Sequence, residues 1–170
     1  MSIELPEAKI LADQMNRELR GKCIKNYCLR DYERLQRIGF MNKDIRSFDQ
    51  LVNRKVESVI SRGNAIRVKL DGKLNIILSP EYGGEVFYHS HESTSPDKFH
   101  LKIDFSDKSA LTVRLTSMGG IHVFRDDELI NSYMFKRDFN PEILSPMDKA
   151  FTFNTFYKLL QNNNKALKSV

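Results

Sequence analysis

Ile66-Arg67-Val68-Lys69-Leu70-Asp71-Gly72-Lys73-Leu74-Asn75-Ile76-Ile77-Leu78 is the stretch that decides the fold class. Ile66, Val68 and Leu70 alternate with Arg67 and Lys69, and Leu74, Ile76 and Leu78 alternate beyond Asp71-Gly72. A period of two sends successive side chains to opposite faces of a strand, and Asp-Gly between two such runs signals a hairpin. The pattern recurs downstream. Phe99, Leu101, Ile103 and Phe105 alternate, Ser106-Asp107-Lys108 turns the chain, and Leu111, Val113 and Leu115 return. Tyr82-Gly83-Gly84 is a further turn before a strand over residues 85–89, and Gly119-Gly120 leads into a last strand over 121–125. Residues 91–97 are polar and read as a mobile loop. Six to eight short antiparallel strands at this spacing predict a sandwich or barrel.

Upstream the period changes. Ala8, Leu11, Ala12, Met15 and Leu19 recur at helical spacing over residues 6–20, with Gly21 as a stop. The expected fold class is therefore α+β: an antiparallel two-layer β-sandwich with an N-terminal α-helix packed along it. Residues 22–29 read as a strand, 30–39 as a loop and 45–53 as a short helix. After Asp126 the character shifts. Pro141-Glu142-Ile143-Leu144-Ser145-Pro146 is linker-like, and residues 152–160 read as a helix striped by Phe153, Phe156, Tyr157 and Leu160. Two domains are expected, a sandwich over 1–126 and a linker with the first helices of an incomplete domain over 127–170. Lys165-Ala166-Leu167-Lys168-Ser169-Val170 reads as a second helix just begun. A helix with nothing to pack against points either to a piece of a longer chain or to one that has lost a second domain.

Composition narrows the class. Of 170 residues, 41% are hydrophobic, enough for a core, and the net charge of +5 permits a polyanionic partner without requiring one. Tryptophan is absent, so any stacking on a ligand falls to Tyr, Phe or His. Cys23 and Cys28 have no second pair to complete a zinc site, and His89, His91, His100 and His122 supply no matching motif. No apolar run reaches the length of a membrane span and no signal peptide opens the chain, so the expected compartment is the cytoplasm and no membrane partner is expected.

The chain opens with Ile3-Glu4-Leu5-Pro6-Glu7-Ala8. One reading is a well-made helix start: proline suits the first turn, and carboxylates suit the positive end of the helix dipole. The other is an α-amino group and a carboxylate held together on a rigid element. An α-amine titrates near ~8, so a useful fraction of it is a free nucleophile at neutral pH.

Glu4-Leu5-Pro6-Glu7 opening a helix that ends in Gly21-Lys22, the sandwich after it, and a Pro-Glu-x-Leu-Ser linker into helices together resemble the formamidopyrimidine-DNA glycosylase and endonuclease VIII family. The likeness is to a divergent bacterial branch with a Gly-Gly-Ile turn, here Gly119-Gly120-Ile121. It implies a monomeric, nucleoid-associated base-excision repair glycosylase with AP (β-)lyase activity, acting on double-stranded DNA that carries damaged bases or abasic sites. It also implies that the helices after the linker open a helix–two-turn–helix DNA-binding domain. The family's zinc finger has no counterpart here, so no metal or cofactor is expected. In active members an N-terminal proline attacks the sugar carbon at the damaged base, and the glutamate after it protonates or positions the sugar. Carried over, Glu4 matches that glutamate and Glu7 the supporting carboxylate. Ile3 stands in the proline's place, and removal of Met1 leaves the free amine on Ser2, one residue further out. The family's hairpin lysine aligns with Asn64, beside Arg62. Its first void-filling side chain aligns with Tyr82, either a wedge or a turn aromatic covering the sheet edge. The Arg-Phe pair of the second loop aligns near Met118-Gly119. Arg62, Arg67 and Lys69 read as a solvated strand face or as phosphate contacts, and Lys165 and Lys168 open the helices that grip the DNA backbone. Two further readings stand beside the enzyme: a catalytically inactive relative that binds damaged DNA, and a sandwich interaction module whose charge is incidental.

Overall fold

The computed structural model describes residues 4–91, 96–139 and 144–161, in two compact units that divide after Phe139. The first unit opens with α1 (Leu5–Leu19), whose Ala8, Ala12, Met15 and Leu19 are buried. Among its described residues are eight strands: β1 (Ile24–Leu29), β2 (Val56–Arg62), β3 (Ala65–Leu70), β4 (Leu74–Ser79), β5 (Glu85–His89), β6 (Leu101–Phe105), β7 (Ala110–Arg114) and β8 (Gly120–Arg125). They form two four-stranded sheets, ordered β1-β6-β7-β5 and β2-β3-β4-β8, and each pairing is antiparallel. This is the expected α+β sandwich with its N-terminal helix.

The hairpin that decided the class pairs Ile66 with Leu78, Val68 with Ile76 and Leu70 with Leu74, so all six face the core together. At its tip Gly72 and Lys73 adopt left-handed backbone conformations (φ +67° and +61°), which glycine takes without steric cost. Helix α1 lies along β2. Gly21 donates its amide to the Val56 carbonyl at 2.9 Å, and the Val59 amide donates to Asn16 Oδ1 at 2.8 Å. The helix thereby covers an edge strand whose free donors would otherwise invite another chain.

Three local expectations shift. Residues 30–39 contain a helix, α2 (Tyr32–Arg37), not a loop throughout. It is under two turns and buries only Leu35, too little for a periodic signal. The expected helix over 45–53 is the single turn α3 (Arg46–Asp49). The first unit also runs past Asp126, through a 3-10 turn (Leu129–Asn131) and α4 (Tyr133–Asp138), because Leu129 and Met134 pack on Ile77. With that cover β4 is buried on both faces, Asn75 and Ser79 included. In the second unit α5 (Phe153–Gln161) starts where expected, with the Thr152 hydroxyl accepting the Thr155 amide at 3.2 Å. Phe153 stacks on Tyr157, ring centres 6.0 Å apart, and both are exposed. Residues 92–95 of the polar loop lie outside the described residues.

Candidate functional site

Chain direction brings Glu4, Glu7, Arg62, Asn64 and Tyr82 to one end of the sandwich. Residue 21 lies beside 56 and residue 16 beside 59, so α1 runs antiparallel to β2. Its N-terminus therefore reaches the end where β2 turns into β3. The same end holds the finish of β4, the start of β8, the finish of β1 and β7 and the start of β6.

Glu4 is the N-cap of α1, in an extended conformation and exposed, and its amide donates to Glu7 Oε2 at 2.9 Å. The two glutamates thus stand together at the positive end of a helix, with Glu7 holding the backbone that carries Glu4. Ser2 lies outside the described residues, as do Lys165 and Lys168. Arg62 and Asn64 flank Gly63 in the β2–β3 turn, where φ is +57° and an added Cβ would meet Asp138 Oδ1 at 2.6 Å. Glycine there lets the end of α4 close against the turn.

Tyr82 projects from the β4–β5 turn with 47% of its surface exposed and φ of +51°, a conformation that costs a bulky residue energy. Its carbonyl accepts the Thr116 hydroxyl. The β7–β8 loop locks beneath it. Gly119 has φ of +137°, and a Cβ there would lie 2.2 Å from the Ser79 carbonyl oxygen. Met118, also exposed, stands on that loop above an open cleft of about 390 Å³ whose wall includes His122. Burial pushes the His122 imidazole down to about 4, although a hydrogen bond to the Gly39 backbone opposes the shift. Its Nδ1 has no hydrogen-bond partner among the described residues. The ring is therefore neutral at physiological pH.

Arg67 departs from a solvated strand face, whereas Lys69 stays on one. Arg67 is committed inside the protein, donating to Asn75 Oδ1 at 2.8 Å and Asp126 Oδ1 at 3.2 Å, with its guanidinium 5.7 Å from the Phe135 ring centre. Lys69 pairs with Glu57 at 2.9 Å. Neither is a free phosphate contact. A basic cluster that the sequence reading missed lies elsewhere at the site end: Arg30, Arg34, Lys98 and Arg114 line an open cleft of about 480 Å³. Arg30 lies over the Phe99 ring at 4.5 Å and donates to the Asp97 carbonyl. Arg34 reaches Asp31 at 3.6 Å and Arg114 reaches Glu85 at 3.4 Å, both long, exposed contacts. His100 Nδ1 accepts the Leu115 amide at 2.9 Å, which leaves Nε2 facing Asp31 at 3.8 Å. Burial holds the His100 pKa below its usual value. Three separate segments, residues 30–34, 97–100 and 114–116, build this cluster, so no local motif announces it. Among the described residues no three His, Cys, Asp or Glu side chains gather as metal ligands.

Residues 3–118 match the model of the formamidopyrimidine-DNA glycosylase N-terminal domain. The chain belongs to this family. Solved structures agree in fold. MutM in complex with DNA containing carbocyclic 8-oxo-G superposes with a TM-score of 0.76 at 18% identity, covering 98% of this chain and 60% of that one. Lactococcus lactis Fpg in complex with abasic-site DNA gives 0.77 at 16% identity, covering 98% and 58%. The chain thus spans about 60% of the length of these structures. Comparison with curated proteins gives no match. No helix among the described residues is long and apolar enough to cross a membrane.

Proposed function

We propose that the chain acts on damaged or abasic double-stranded DNA as the catalytic half of a base-excision glycosylase with β-lyase activity. One observation carries the reading: the paired glutamates at the start of α1, the protruding Tyr82 and the arginine-lined cleft occupy the same end of one sandwich. An exposed aromatic on a strained turn suits the gap left by an everted base, and a cationic rim suits the phosphates around it. In this reading the Ser2 amine attacks C1′ of the sugar. The bond to the base breaks, the base leaves with a proton, and Glu4 supplies a proton to the sugar ring oxygen as the ring opens. The resulting imine acidifies the C2′ proton. Its removal expels the 3′ phosphate, and water then releases the enzyme. Glu7 holds the Glu4 backbone through these steps.

Two positions favour a second reading, a binder of damaged DNA without chemistry. Ile3 replaces the family's proline, and a one-residue displacement of the amine is large where about one ångström already costs about a hundredfold. Asn64 lacks the charge of the family's lysine. Borohydride trapping on an abasic-site duplex separates the two. Covalent capture by the native chain that falls with Glu4→Gln is expected of the enzyme. Absence of any trapped product, with salt-sensitive retention of the duplex in gel shift, leaves the binder. Affinity for duplex DNA indifferent to salt would sink both.

A further inference from the structure

Tyr82 is held by more than its own turn. The Glu81 side chain, 14% exposed, turns inward, and its Oε1 accepts the Ser79 hydroxyl at 2.8 Å and Arg137 Nη2 at 3.1 Å. Arg137, from α4, also donates Nε to Asp138 Oδ1 at 2.8 Å and Nη2 to Asp138 Oδ2 at 2.6 Å, and Asp138 in turn abuts Gly63 of the β2–β3 turn. One guanidinium therefore ties two nearly buried carboxylates and two segments, the turn that carries Tyr82 and the end of α4.

We propose that Arg137 is a positioning residue for Tyr82: by fastening Glu81 to α4, it holds the tyrosine ring erect toward DNA before DNA arrives. This rests on the reading of Tyr82 as a wedge given above. The geometry explains three things that a plain turn leaves without a cause. A non-glycine residue keeps φ of +51° because the residue before it and its own carbonyl are pinned, Glu81 by Arg137 and the Tyr82 carbonyl by Thr116. Arg137 lies 56 residues from Glu81 in sequence and is spent on it and on Asp138, not left to solvent. Both carboxylates accept from the same planar fork, which lysine's single ammonium does not reproduce. Ordering the wedge in the free protein removes the entropy of freezing it on binding, so its effect belongs in discrimination between damaged and intact duplex.

The chain has no tryptophan, so Tyr82→Trp places a single fluorescent reporter at the tip. In that background Arg137→Met is expected to lower the reporter's anisotropy in the free protein. In the native background Arg137→Met is expected to cut the preference for a tetrahydrofuran abasic-site duplex over an intact one by about tenfold, the scale of one lost stacking contact. Intact-duplex affinity should change by less than about twofold, because phosphate contacts set it. Arg137→Lys should recover little of either effect, and Glu81→Gln should reproduce both, which also serves if Arg137→Met fails to fold. Amide hydrogen exchange over residues 81–84, which needs no reporter, should quicken in both clamp variants. Unchanged exchange and anisotropy would overturn the clamp. A native chain with no preference for the abasic duplex would instead overturn the wedge, while exchange and anisotropy still decide whether Arg137 holds the turn.

Discussion

The two ends of the sandwich use their charged residues differently. At the end bearing the Asp71-Gly72 turn, several cations have close carboxylate partners. Lys22 pairs with Asp107, Arg67 with Asp126, Lys69 with Glu57, and the Asp71 carboxylate takes the Lys55 amide. At the other end, Arg30, Arg34, Lys98 and Arg114 surround a cleft whose acidic lining, among the described residues, is Asp31 and Asp97. The arginine contacts there are long or exposed, and exposed pairs contribute little, so a phosphate can replace those partners at small cost. Backbone strain divides the same way. The Gly72 turn points a missing Cβ at the movable tip of Arg54, whereas Gly119 points one at the main chain of β4.

That contrast can be broken by substitution. Gly119→Ala should be the costliest, roughly 3 kcal/mol or more in denaturant unfolding, since both the positive φ and the Ser79 carbonyl oppose a side chain. Gly72→Ala should cost only about 1 kcal/mol, because the Arg54 guanidinium can swing away. Equal costs would erase the asymmetry.

Next comes pH. His122 binds its proton near 4 when folded and near 6.5 when unfolded. The unfolded chain therefore holds more protons between those values, and stability falls as pH drops through that window. The loss should be on the order of 2 kcal/mol by about pH 5, with His89 and His100, both lowered mainly by burial, adding to it. His122→Gln should flatten the largest part of this slope in thermal melts. A profile unchanged by that substitution would mean that His122 is not the group responsible.

In DNA binding, Arg30→Ala, Arg34→Ala and Arg114→Ala should each weaken affinity and reduce the salt slope by about one, while Lys73→Ala and Lys108→Ala at the far end should leave the slope alone. Equal slopes from both ends would remove the basis for assigning the interface to one of them. The smallest effect is expected at Asp107. Lys22 holds its carboxyl down at about 2, with Ser109 adding to the shift, so the pair stabilises above the ordinary carboxylate pKa and is lost as pH falls toward 2. Because the carboxylate is half exposed, Asp107→Asn should cost under about 1 kcal/mol at neutral pH.

The hairpins, the N-terminal helix and hence the sandwich were legible in the chain, because alternation, Asp-Gly and a 3.6-residue stripe are local signals that burial then rewards. The sequence also placed Glu4 and Glu7 together, since three residues on a helix start are always neighbours. Only the tertiary structure decided the rest. Arg67 looked like a solvated cation until Asp126, 59 residues away, closed on it. The three-segment basic cleft and the Glu81–Arg137–Asp138 clamp left no pattern in the chain, because each depends on which strand ends meet. The physical reason is range: backbone periodicity reports which face of an element is apolar, whereas a site at the end of a sandwich is assembled from loops whose proximity exists only once both sheets have packed.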